Sequence, residues 1–324
     1  MDAEGILAGA GPVAAAIALA ALFVVEGLVP IFEHRTRRLR DAIPNLAMGL
    51  INGVFVGGLF SGAILLTTEL ARANGFGVLH WLERTGVPIW LVWVFSFVAI
   101  DLFAYGWHVA AHKIPALWRF HAVHHSDPHV DASTALRFHS GEVILECAAM
   151  VVILPILGVT VPQLLLYKLI LVPVALFHHS NVRMPARLDR VLRAVLVTPW
   201  MHWVHHSRTL PETDSNYAAV LPWWDMLFGT YRIVRRPHSI EFGLDTLPGV
   251  EQTTLKGMML TPVRGVPKAS EWARVEAKAA GKRGTLTSSK PRSPAAAVAR
   301  MRDPIARTAV LKGAACAVDL TSAS

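Results

Sequence analysis

The sequence predicts an all-α integral membrane protein: about three full transmembrane helices plus a helical membrane hairpin, with a cytoplasmic helical cap that carries a histidine cluster. Three observations lead there. The 324 residues are 53% hydrophobic and 17% charged, with a mean hydropathy of +0.42, values foreign to soluble domains. Uncharged runs long enough to cross about 30 Å of hydrocarbon recur through the first half. Polar, histidine-rich stretches lie between and after them.

Residues 6–25 carry no charge and form the first expected span. Asp2 and Glu4 precede this run and basic residues follow it. That order lacks the basic start of a secretory signal, so the span is expected to be retained. Arg35, Arg37, Arg38 and Arg40 come next, and the positive-inside bias places them in the cytoplasm.

Residues 42–68 are the second run, with Gly49, Gly53, Gly57, Gly58 and Gly62 spaced for close helix approach. Residues 87–107 form the third. This one contains Asp101, and a carboxylate inside a span is rare and usually functional. Asp101, Tyr105, His108 and His112 are spaced by four, three and four residues, so they share one helical face.

Apolar stretches at 142–158 and 162–178 read either as two short spans or as one span at 147–167. The histidines on both sides decide it: if they share one site, an even number of crossings separates them, so a hairpin is expected. Lys168 then lies inside the second arm and must snorkel or find a partner. After the hairpin, residues 183–197 form an Arg-rich amphipathic piece suited to the interface. The expected division is therefore 1–86 for the N-terminal helices, 87–248 for a catalytic region, and 249–324 for a basic, mobile tail with helical turns near 271–280.

Charge follows the same division. Residues 249–324 hold 13 of the 31 Lys and Arg and 5 of the 23 Asp and Glu, so the whole net charge of +8 belongs to the tail. No nucleic-acid partner is implied. Cys147 and Cys316 form no CxxC pair, which excludes zinc ribbons and a disulfide framework.

The chemistry lies in the histidines. His108 and His112 are four apart on a helix and project from one face, able to close on one ion. His121, His124 and His125 repeat the pattern, with one neighbour turned about 100° away towards a second ion. His202, His205 and His206 form a further copy. Neutral imidazole suits several transition metals, and so many ligands exceed two closed structural sites. A two-metal centre with open positions is expected. The isolated His34, His80, His129 and His238 are read as ordinary hydrogen-bonded residues.

HxxxH, HxxHH and a later HxxHH, set between membrane spans, resemble the fatty acid hydroxylase and sterol desaturase superfamily of membrane di-iron oxidoreductases. The resemblance extends to the run from Ser133 to His139, to His179-Ser180-Asn181, and to Asn216-Tyr217 with residues 224–230, covering about 90–235. It implies ten metal ligands: His108, His112, His121, His124, His125, His139, His179, His202, His205 and His206. His178 is a second choice to His179, which adjoins Ser180-Asn181. Asp101 and Asn181 are assigned to the catalytic machinery as groups that orient the imidazoles, with Asp131 and Asp225 as further candidates.

The resemblance also implies two non-haem iron ions, O2 as co-substrate, and hydroxylation or desaturation of a lipid C–H bond. With no dinucleotide, haem or iron–sulfur motif in the sequence, NAD(P)H acts only through a separate electron-transfer protein of ferredoxin or cytochrome b5 type. The metal site and C-terminus are expected on the cytoplasmic side. A non-enzymatic metal-binding membrane protein, sensor or transporter, is the alternative.

Overall fold

The computed structural model describes residues 3–32, 38–244, 247, 250–264 and 266, with side chains from residue 9 onward. Among them the secondary structure is helical. The extended backbone is limited to single bridges, Pro30 with Val182 and Ser207 with Phe242.

Helix α1 (Ala3–Leu28) is followed by α2 (Arg38–Ile51), a π-helical turn (Asn52–Gly57) and α3 (Gly58–Ala73). A short α4 (Val78–Arg84) leads into α5 (Ile89–Lys113), and α6 (Pro115–His125) turns off directly afterwards. The corner has a simple cause: Pro115 disfavours helical backbone at Ile114, which is extended, so α5 stops there. The hairpin follows as α7 (Ser140–Leu157) and α8 (Val161–His179). Small helices α9 (Ala186–Leu192), α10 (Pro199–His205), α11 (Leu210–Thr213), α12 (Trp223–Phe228) and α13 (Leu255–Arg264) follow.

Five segments are long and apolar enough to cross a membrane: Gly9–Leu28, Arg38–Arg84, Ile89–Lys113, Ser140–Leu157 and Val161–His179. Both hairpin arms are among them, and the chain that leaves the first histidines at the start of α7 returns to them at the end of α8. Lys168 stands exposed on the outer face of α8. Helix α1 packs along α8, and α3 along α7. Lipid tails give no hydrophobic drive for such contacts, so small residues and buried polar pairs must hold them.

The π-turn is one such place. Asn52 donates to the Phe138 carbonyl (2.7 Å) and accepts from Ser140 (2.7 Å), which ties the middle of the second span to the start of α7. At the opposite end, Gly77 meets the hairpin tip. Both Gly77 (φ +112°) and Gly158 (φ +77°) have left-handed backbone, and a Cβ on Gly77 would lie 2.5 Å from the Gly158 Cα.

One element departs from expectation. Helix α13 falls inside the stretch read as a mobile tail, yet its Met258 is fully buried against Met48 and Val123. Arg137, itself buried, explains the docking. Its guanidinium bonds the Val123 carbonyl, Asn45, Ser126 and the Gln252 carbonyl, and a buried guanidinium needs such a full set of acceptors. The remaining tail, including 271–280, lies outside the described residues, as do His34, Arg35 and Arg37.

The glycine contact gives a direct test. Gly77→Ala should destabilise the fold by about 1–3 kcal/mol through its disallowed φ and the backbone clash. The check is the unfolding midpoint of the purified protein in detergent, with Gly62→Ala, where nothing lies within 4 Å of a Cβ, as the neutral control.

Candidate metal centre

Four elements deliver the histidines to one place. His108 and His112 come from the last turns of α5, and His121, His124 and His125 from α6. His179 ends α8, His202 and His205 lie on α10, and His206 caps it. They sort into two sets whose ligand atoms lie within 4.8 Å of one another: His108, His112, His121, His125 and His205 in one, His124, His179, His202 and His206 in the other. The neighbours His124 and His125 are divided between the sets, as the 100° step of a helix requires.

The nitrogens converge closely. Nε2 to Nε2 separations are 3.2 Å for His108 and His121, 3.1 Å for His112 and His125, and 3.1 Å for His124 and His179. They are 2.9 Å for His179 and His202, and 3.1 Å for His202 and His206. Metal–nitrogen bonds of about 2.1 Å put ligands at right angles roughly 3 Å apart. Both sets therefore have the spacing of a coordination shell.

The outer nitrogens support that reading. Nδ1 of His108 donates to the Tyr217 carbonyl, that of His205 to the Ser215 carbonyl, and that of His179 to the Ala175 carbonyl, each at 2.7 Å. His121 donates to Glu142 (2.7 Å), and His112 lies 3.4 Å from Asp214. With the proton fixed on Nδ1, the Nε2 lone pair faces the centre. Burial, and then the neighbouring imidazoles, hold His124, His125, His202, His205 and His206 well below the usual imidazole range. Neutral imidazole is the form that binds a metal.

Nine of the ten expected ligands are thus gathered. His139 is not. Its Nδ1 accepts from the Gly141 N–H (2.9 Å), capping α7, and its Nε2 donates to the Met259 carbonyl (3.2 Å). Both nitrogens are committed, so no lone pair remains for an ion. His178 lies tilted beside His202 with ring centroids 4.0 Å apart and stays outside both sets.

Asp101 and Asn181 also stand one step away from the imidazoles. Asp101 accepts from Tyr167 (2.9 Å), the Val220 and Leu221 N–H groups (3.2 and 3.1 Å) and the Trp224 indole (2.8 Å). Asp225 accepts from the Tyr217 and Ala218 N–H groups. Together the two carboxylates fix the loop that presents the Tyr217 carbonyl to His108. Asn181 clamps Ile31 and Phe32, while its own N–H donates to Glu26 (2.8 Å). Asp131 caps the 3-10 turn Ala132–Leu136.

Glu26, Glu142 and Asp214 carry parts of this framework without having been expected. Glu142 had a signal: like Asp101, it is a carboxylate in an apolar run. Glu26 and Asp214 gave none, because their partners, Ala132, Asn181 and His112, are remote in sequence.

Beside the histidines is a cavity of about 250 Å3, lined by apolar side chains of α5, α8 and residues 135–138, with Glu142 and Glu146 of α7. The fold and site define a membrane protein with two histidine sets that could each hold a metal ion, and an apolar chamber against them. Residues 93–230 match the family model of fatty acid hydroxylases. An ornithine lipid hydroxylase of Rhizobium tropici is 29% identical over 70% of this chain and 68% of its own length. An alkylglycerol monooxygenase of Danio rerio is 32% identical over 60% of this chain, which spans 41% of that relative. A cholesterol 25-hydroxylase-like protein of the same fish is 29% identical over 52% of this chain and 70% of its own length. No solved structure matches. Over residues 93–230 the chain is similar to the fatty acid hydroxylase superfamily.

Asp131 supplies a pH test. Its carboxyl is pushed up to about 7 by burial and by Glu26 and Asp127, whereas the unfolded chain titrates near 3.9. The folded state therefore binds the extra proton between these values, and this contribution to stability falls as pH rises from about 4 to about 7. Asp131→Asn keeps an acceptor for Ser133 and should remove that decline, read as the difference between variant and wild-type unfolding free energies at pH 5 and pH 7.5.

Proposed function

We propose that the protein is a multi-pass membrane monooxygenase that hydroxylates or desaturates a lipid C–H bond with O2. The observation that carries this reading is the pair of converging imidazole sets, five and four nitrogens, opening on an apolar cavity. Nine neutral nitrogens and no thiolate suit two iron ions that keep positions open for oxygen. Bound there, the irons would supply oxygen activation and removal of a hydrogen atom from an unactivated carbon.

The chain's own residues do the rest. His108, His112, His121, His125 and His205 hold one ion, and His124, His179, His202 and His206 the other. Glu142, Asp214 and the Tyr217, Ser215 and Ala175 carbonyls fix the imidazole orientations. Asp101 and Asn181 act as positioning residues: one sets the loop behind His108, the other anchors the end of α8 just after His179. Phe138, Leu171, Val172 and Leu176 place the lipid chain and exclude water.

Electrons come from a separate protein of ferredoxin or cytochrome b5 type, with NAD(P)H acting only through it. The arginines around residues 35–40 favour a cytoplasmic centre and C-terminus. The names of the relatives support a polar-headed lipid or sterol as substrate.

Purified full-length protein should contain about two irons per chain and consume O2 when a reduced electron carrier and lipid are supplied. Lipid extracts of expressing cells should gain a product 16 Da heavier or 2 Da lighter than its precursor. Metal content near zero with unchanged lipids would instead leave a scaffold without this chemistry. Glu142→Gln should weaken iron binding by about ten- to a hundredfold, measured by competition with a chelator, while the protein stays folded.

A further inference from the structure

Apart from the histidines, the cavity is apolar except for two carboxylates and one indole N–H. Glu142 and Glu146 stand one turn apart on α7, and both line it. Glu142 is 3% exposed. One of its oxygens holds His121, and Oε2 is buried with no hydrogen-bond partner. Glu146 makes no hydrogen bond or ion pair among the described residues. The indole N–H of Trp107, which also lines the cavity, is buried and unpartnered. Two buried polar atoms without partners, beside a Glu146 carboxylate that has only Lys168 as an opposite charge near it and no hydrogen bond, are costly to leave unmatched in an otherwise greasy chamber. A ligand that matches them removes that cost.

We infer that this wall is a recognition subsite for a hydrogen-bond donor on the lipid, a hydroxyl or amide N–H, set a few bonds from the carbon that reacts. The spacing supports it. Glu142 touches a metal-set imidazole, and Glu146 lies about 6 Å further along the helix axis. A donor seated on Glu146 therefore leaves only a short length of chain between itself and the centre. The cavity so selects lipids functionalised near the reacting carbon over plain methylene chains. This rests on the hydroxylase reading for the identity of the centre, though not for the binding preference itself.

The test measures binding without turnover. Full-length iron-loaded protein in lipid nanodiscs, with no electron donor, is offered a radiolabelled long-chain 1,2-diol or the alkane of equal length, with empty nanodiscs as blank. The diol should bind at least about tenfold tighter than the alkane, since a site built around polar groups penalises a ligand that leaves them unpaired. Glu146→Leu should bring the two probes within about twofold of each other, and Glu146→Gln, which keeps an acceptor, should retain most of the preference. Equal binding of both probes to the wild-type protein would overturn the inference, as would a preference that survives in Glu146→Leu. A protein that shows the preference yet consumes no O2 would leave this subsite standing and remove the hydroxylase reading.

Discussion

Nine imidazoles must remain neutral and converge within two spaces 4.8 Å across, and much of the structure answers to that constraint. Protonated histidines at 3 Å would repel one another, so the cluster needs burial to suppress their charge. Acceptors behind five of the nine rings hold their lone pairs inward. Burial comes from stacking the ends of α5, α6, α8 and α10 against one another. Three of those acceptors come from a loop that would not keep its shape unaided.

That loop, residues 214–221, is governed by carboxylates that touch no metal-set imidazole. Asp101 holds its far end from within α5, and Asp225 holds its middle from α12. Asn216 adopts left-handed backbone there (φ 54°) and is fixed by the Met201 and Arg232 carbonyls. On the other side Glu26 gathers Ala132, Asn181 and Arg38 around the end of α1. In a medium that offers no water, each such carboxylate is held by several donors at once. The same economy makes the partnerless oxygens of the cavity wall conspicuous.

The membrane half of the fold obeys a different logic. Its elements meet where the loop at Gly77 touches the hairpin tip at Gly158 and through the Asn52 and Ser140 pair, while Gly53, Gly58 and Gly62 have nothing within 4 Å of a Cβ and mediate no close approach; its outer faces carry exposed large apolar residues such as Leu59, Phe55 and Val152. These contacts place α7 and α8 so that a chamber forms between them and α5. The hairpin thus supplies the path by which later histidines return to the first ones, together with a wall of the substrate space.

Local sequence determined the helical class, the long apolar runs and eight of the nine gathered histidines, His179 coming only from the resemblance. Hydropathy acts on contiguous residues, and i, i+3, i+4 spacing fixes which side chains share a face. Even the division between His124 and His125 follows from the helical step. Tertiary structure alone decided the rest, because it depends on groups far apart in the chain. His139 carries the right chemistry and neighbours, yet Gly141 and Met259 take both of its nitrogens. Asp101 and Asn181 were legible as important but not as props one step from the rings. Glu26, Asp214 and α13 gained their roles only when remote partners arrived, Arg137 reaching the Gln252 carbonyl being the clearest instance.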